Sequence, residues 1–128
     1  MVKIAIITED GVHVSKHFGR APHYMVVEIE GNTVKGKRLV PKVGHSQFQG
    51  MHEERHEEPH LGSESKHATM SEPIKDCVVL ICGGMGMGAY QSLLLRGIRP
   101  IITEVDDINQ AIAAYLDGKL DDHPEYLH

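Results

Sequence analysis

Residues 43–67 carry five histidines, His45, His52, His56, His60 and His67, together with five glutamates. Imidazole nitrogen and carboxylate oxygen are ligand types for zinc, iron and nickel, whereas a connector that is merely solvated draws on serine, glycine, lysine and aspartate. Half of the chain's ten histidines fall in this stretch. Within it, His52-Glu53-Glu54-Arg55-His56 matches the zinc-protease pattern H-E-x-x-H. The match is weak, because so rich a composition generates the pattern readily. Pro59 also interrupts the helix that must hold both ligands, and His60 stands four rather than six residues past His56. Three readings stay open. His45, His52, His56 and His60 either form a divalent-metal site of their own for zinc or nickel, or serve as auxiliary or gating ligands to a pocket elsewhere, or the stretch is a solvated insertion with no specific ligand.

A second signal is Gly83-Gly84-Met85-Gly86-Met87-Gly88-Ala89, which follows an apolar run and opens a helical pattern. The free backbone N–H groups and the dipole at such a helix start favour an anion. Gly84, Gly86 and Ala89 satisfy the G-x-G-x-x-G/A dinucleotide fingerprint, with Glu104 twenty residues past Gly84. A nucleotide-binding enzyme is therefore one alternative. Against it, only one βαβ unit fits after the motif, and a dinucleotide fold needs two halves. The glycines could also serve only to pack a helix tightly on a strand. Met85 and Met87 would be soft contacts or gap fillers.

The third signal, Ser15-Lys16-His17-Phe18-Gly19-Arg20-Ala21, lies between the first two strands and so at the same end of the sheet as the glycine turn. His17 and Arg20 converging beside free N–H groups make an anion or cluster pocket. Alone, His17 would be an ordinary surface histidine.

These residues need a frame. Residues 2–8 are apolar and β-branched at nearly every position, the pattern of a central strand buried on both faces. Residues 24–30 alternate, with Met25, Val27 and Ile29 on one face, which reads as a half-buried strand. Gly31-Asn32 turns the chain, and residues 34–40 return with Lys35, Lys37 and Arg38, the charged decoration of a sheet edge. A short turn or helix is expected around residues 66–75, weakened by Pro73. Residues 77–82 form a second strand apolar on both faces, followed by a helix that ends at Gly97. Residues 99–103 give another strand. Ile108, Ala111, Ile112, Tyr115 and Leu116 then form a helical stripe between Asp106 as cap and Gly118 as stop. The first three strands make an antiparallel meander, and the last two run parallel to a neighbour through helical crossovers. The expected class is α/β, a five-stranded mixed sheet flanked by helices, with its ligand site beyond the carboxyl ends of the parallel strands.

At 128 residues and 41% hydrophobic, the chain suits one domain with one modest core. No apolar run approaches the roughly 18 residues of a membrane helix. The opening residues are strand-like rather than a signal peptide, so a cytoplasmic location is the default expectation. A formal charge of −5, with 18 acidic against 13 basic residues, two phenylalanines and no tryptophan, lacks the basic footprint of a nucleic-acid binder. Cys77 and Cys82 are five apart and would point to opposite faces of one strand, which excludes their pairing and fits a reducing compartment. Two cysteines cannot hold an iron-sulfur cluster in four-thiolate fashion.

Taken together, Val14 and residues 15–21, the histidine-rich middle, and Cys82 with the glycine turn followed by Leu93, Gly97 and Ile98 resemble the dinitrogenase iron-molybdenum cofactor biosynthesis family. The resemblance spans nearly the whole chain. It implies a single domain over residues 1–128 with a ribonuclease H-like motif. It also implies non-enzymatic binding or carriage of an iron-sulfur or iron-molybdenum cluster, with cluster-assembly or acceptor proteins as partners and a monomer or weak homodimer as the working form. His17 would be the direct cluster ligand, and Ser15, Phe18, Gly19 and Arg20 its surround. Gly83, Gly84, Met85, Gly86, Met87 and Gly88 would line the cavity. Such clusters are anionic, so Arg20 and a helix amino terminus are suitable neighbours.

Overall fold

A computed structural model describes residues 1–42 and 72–127. The expected metal ligands His45, His52, His56 and His60 lie outside the described residues, as does His67. Five strands, β1 (Val2–Thr8), β2 (His23–Glu30), β3 (Thr33–Pro41), β4 (Val79–Cys82) and β5 (Arg99–Ile102), form one sheet in the order β3-β2-β1-β4-β5. β2 is antiparallel to both of its neighbours, while β4 pairs parallel with β1 and β5 parallel with β4. Two helices, α1 (Met87–Leu95) and α2 (Ile108–Leu116), supply the parallel crossovers. Short 3-10 turns span Glu72–Ile74 and Pro124–Tyr126.

Side chains alternate across a strand, so β1 divides the core in two. Ala5 and Ile7 pack with Tyr24, Val26 and Leu80 against Ala89 and Leu93 of α1. Ile4 and Ile6 pack with Val27, Ile29, Val79 and Ile81 against Ile108, Ala111 and Ile112 of α2. The helices therefore cover opposite faces, the three-layer solution for a mostly parallel sheet. Ile4, Ile6 and Ile7 are fully buried, and each stabilises the fold by about 1.5–3 kcal/mol.

Three expectations are corrected. β2 is buried on both faces, because Tyr24 and Val26 enter the α1-side core while Val27 and Ile29 enter the other. Cys77 precedes β4 rather than belonging to it, so it and Cys82 pack in the same cluster, both as free thiols. The cap of α2 is Asp107, whose carboxylate accepts from the N–H of Gln110 at 3.0 Å. Asp106 instead gives its carbonyl to Val14 N–H at 2.6 Å.

The end of α1 follows from local chemistry. Gly97 takes φ +79°, where its N–H reaches Leu94 O and the N–H of Ile98 reaches Leu93 O. That is a Schellman closure, and buried Ile98 and Leu93 share one core cluster. Gly31, at φ +64°, closes the two-residue turn between β2 and β3.

Candidate functional site

The site begins where β1 ends. Fully buried Thr8 donates its hydroxyl to His13 O at 2.6 Å and accepts from Gly11 N–H at 2.9 Å. Asp10 Oδ1 accepts the N–H groups of Val12 and His13, each at 2.8 Å, and Asp10 Oδ2 lies 2.7 Å from His13 Nδ1. The His13 imidazole, followed by these backbone donors, holds the Asp10 carboxyl well below the usual range. Asp10 in turn raises His13. The result is a tight, self-bonded turn.

The chain then crosses the carboxyl ends of the parallel strands. Ser15 N–H donates to Ile7 O at 2.9 Å, Gly83 N–H to Ser15 O at 2.8 Å, and Phe18 N–H to Gly84 O at 3.3 Å. Residues 15–18 are thus tied to both β1 and the turn after β4, the convergence expected of these two segments. A Cβ at Gly83 would stand 2.7 Å from Lys16 Cγ, and one at Gly84 would stand 2.8 Å from Lys16 O. These two glycines are needed because Lys16 lies on them.

The crossing segment sorts its side chains. Ser15 is buried and its hydroxyl accepts from His17 N–H at 3.1 Å. Phe18 is buried in the α1-side core, tilted against Tyr24 with ring centroids 6.4 Å apart. Lys16, His17, Gly19 and Arg20 are exposed. His17 O accepts from Arg20 N–H at 3.1 Å and from Ala21 N–H at 3.0 Å, so the imidazole rides on a short closed turn.

Beside His17 opens a cleft of about 230 Å³, whose walls include Glu9, Asp10, Asp106, His13, Lys16 and His17. Its acidic side was missed by pattern reading, because Asp106 joins Glu9 and Asp10 only in space, through backbone contacts such as Val14 N–H to Asp106 O and Ile108 N–H to Val12 O. The Asp10-Gly11 turn was the available local signal. Arg20 is not among the residues lining this cleft, nor are Gly83, Gly84 and Met85. Met85 is 1% exposed and fills the α1-side core.

The start of α1 adds a second element. Its cap residue, Gly86, has no side chain, and no acidic residue stands in the first turn. Met87 and Gly88 are exposed there. The first turn of α1 thus has neither a side-chain cap nor an acidic residue to offset its partial positive charge.

Among the described residues, one group of three ligand-type side chains converges: Glu104, Asp121 and His123, with ligand atoms within 4.8 Å of one another. Their own contacts explain it. His123 Nε2 lies 2.7 Å from Asp121 Oδ2 and His123 Nδ1 lies 2.8 Å from Glu125 Oε2, while Tyr126 donates its hydroxyl to Glu104 and stacks on the His123 ring. The group fastens the C-terminal segment to β5, where His123 N–H donates to Ile102 O at 2.7 Å.

Comparison with known proteins places this arrangement. The family described as dinitrogenase iron-molybdenum cofactor matches residues 1–118, which include both the 15–20 segment and the 83–88 turn. The chain belongs to the dinitrogenase iron-molybdenum cofactor family. It is 28% identical over 118 residues to protein NifX of Klebsiella pneumoniae, covering 89% of this chain and 67% of NifX. It is 26% identical over 121 residues to the protein MJ0580 of Methanocaldococcus jannaschii, covering 94% of this chain and 91% of that one. Its fold superposes on the crystal structure of PH0822 with a TM-score of 0.70 at 25% identity, over 98% of this chain and 99% of the other. The Asp121–His123 fastening lies past the stretch that the dinitrogenase cofactor family accounts for.

Proposed function

We propose that this protein binds and carries an iron-sulfur or iron-molybdenum type cluster, handing it between assembly or acceptor proteins without turning over a substrate. The observation that carries the reading is the interlock of Ser15 and Phe18 with Gly83 and Gly84, which seats an exposed His17 on the same end of the sheet as the uncapped start of α1. An imidazole supplies one metal ligand, and the helix start supplies partial positive charge for an anionic cargo. His17 belongs to no group of three converging ligands among the described residues, which suits a transferable cargo held at few points. Family membership supports the cargo class. The sheet order, with β2 alone running against the rest, supports the ribonuclease H-like motif.

Three carboxylates, Glu9, Asp10 and Asp106, line the cleft against Lys16 and the His13 that pairs with Asp10, a balance that disfavours a close anion. This reading therefore puts the cluster on the α1 side of His17. That same cleft favours a second reading, binding of a divalent cation such as zinc or nickel. The dinucleotide reading is the weaker one: Gly84, the first glycine of the fingerprint, packs against the Lys16 carbonyl, and only one parallel crossover follows the motif where a dinucleotide fold needs two halves.

Anaerobic reconstitution with ferrous iron, sulfide and molybdate, followed by visible absorbance, tests the proposal. The wild type is expected to develop a cluster band that is lost in His17→Ala. Zinc binding by calorimetry that survives His17→Ala, with no cluster band in the wild type, would favour the cation reading instead.

A further inference from the structure

Lys42 is 1% exposed and is the one charged side chain among the buried residues described. Burying an ammonium group is costly unless its hydrogen bonds are made, and an apolar residue of the same length would fill the space more cheaply. The contacts of Lys42 indicate its role. Its ammonium donates to the carbonyl oxygen of Phe18 and lies 4.4 Å from the centroid of the Phe18 ring. Its backbone N–H donates to Pro22 O at 2.8 Å.

The chain's own chemistry explains why Phe18 needs an outside donor. Residues 17–21 form a single helical turn, in which His17 O accepts from Arg20 and Ala21. Continued one residue further, the turn would have Phe18 O accept from residue 22. That residue is proline and has no N–H. A buried carbonyl without a partner is destabilising, and the Lys42 ammonium supplies the bond that Pro22 cannot. The cation–π contact fixes the ring of the same residue. Lys42 thus holds both the backbone and the side chain of the residue that follows His17.

We infer that Lys42 is a positioning residue for His17. By closing the 17–21 turn over Pro22, it fixes the direction in which the imidazole is presented. The inference rests on the reading of His17 as cargo ligand for its functional meaning, and on the turn alone for its structural content.

The test uses the full chain and three variants: Lys42→Met, which keeps length and removes charge, Lys42→Arg, which keeps charge, and Val26→Ala, which weakens the same core elsewhere. Hydrogen exchange at the Arg20 and Ala21 amides reads the turn, and anaerobic loading with ferrous iron and sulfide reads the ligand. Lys42→Met is expected to exchange about tenfold faster at both amides and to load about tenfold more weakly, the scale of one lost charge-assisted bond. Lys42→Arg is expected to recover both in part. Val26→Ala is expected to lower the denaturant midpoint while leaving loading of the folded protein unchanged. Unchanged exchange in Lys42→Met overturns the inference, as does equal loss of loading in Val26→Ala. If the wild type loads nothing, the cargo reading falls, while the exchange comparison still decides the role of Lys42 in the turn.

Discussion

The N–H of Gly83 donates to the carbonyl oxygen of Ser15 at 2.8 Å, and a Cβ at either Gly83 or Gly84 would collide with Lys16. Two segments almost seventy residues apart are thereby locked at backbone level. The consequence is specific to position. Gly84→Ala meets a main-chain oxygen at 2.8 Å and is expected to lose about 1–3 kcal/mol in urea unfolding. Gly19→Ala has nothing within 4 Å and is expected to stay within about 0.5 kcal/mol of the wild type. Equal losses at the two positions would contradict the interlock.

Both cysteines are sealed in the α1-side core. Burial pushes the Cys77 thiol up to about 11 and the Cys82 thiol up to about 12. Because the thiolate is the reactive form, the folded protein at pH 8 is expected to take up no iodoacetamide over a time in which the urea-unfolded chain takes up two equivalents. Mass spectrometry reads the count. Modification of the folded form would show that these thiols are reachable.

The C-terminal fastening should depend on pH with a definite sign. The Glu125 carboxylate, then Asp121, raises His123 above its ordinary 6.5. Its contribution is therefore fully present below pH 6.5 and lost as pH rises through the folded-state value. Burial raises Asp121, but hydrogen bonds from Thr103, Glu104 and His123 outweigh it and the net shift is downward. Glu125 is lowered chiefly by His123. The carboxylates thus contribute above their ordinary 3.8 and 4.5, and that contribution is lost as pH falls through their lower folded values. Exchange at the Ile102 amide, which donates to Asp122 at 3.0 Å, is expected to be better protected at pH 6 than at pH 8.5 after correction for intrinsic rate. His123→Gln is expected to flatten the difference, and stronger protection at pH 8.5 would reverse the sign argued here.

Asp107 caps the start of α2 by accepting the Gln110 N–H at 3.0 Å. Asp107→Ala is expected to lower stability by about 1 kcal/mol, against little change for Asp107→Asn. Chemical denaturation midpoints decide it.

What could be read in advance divides along physical lines. β1, the Gly31 turn, the α2 stripe and the glycine stops at the C-terminal ends of both helices are set by local periodicity and turn chemistry, and they stand where the pattern puts them. The pairing of residues 15–18 with the glycine turn was also legible, because parallel strands bring their carboxyl-end loops together. The two-sided burial of β2 was not, since Tyr24 and Val26 are defined by α1 packing on a distant part of the chain. Lys42 gave no signal for the same reason. A lysine at a strand end reads as solvated, and its burial depends on Pro22 and Phe18 meeting it in space.

His17 is the residue proposed to hold the metallocluster. The direct measurement is the iron, molybdenum, zinc, nickel and acid-labile sulfide content of protein isolated without oxygen, compared between the wild type and His17→Ala. Iron together with sulfide in the wild type, and little of either in the variant, is the expected result. Zinc or nickel without sulfide, or equal iron and sulfide in both proteins, would contradict it.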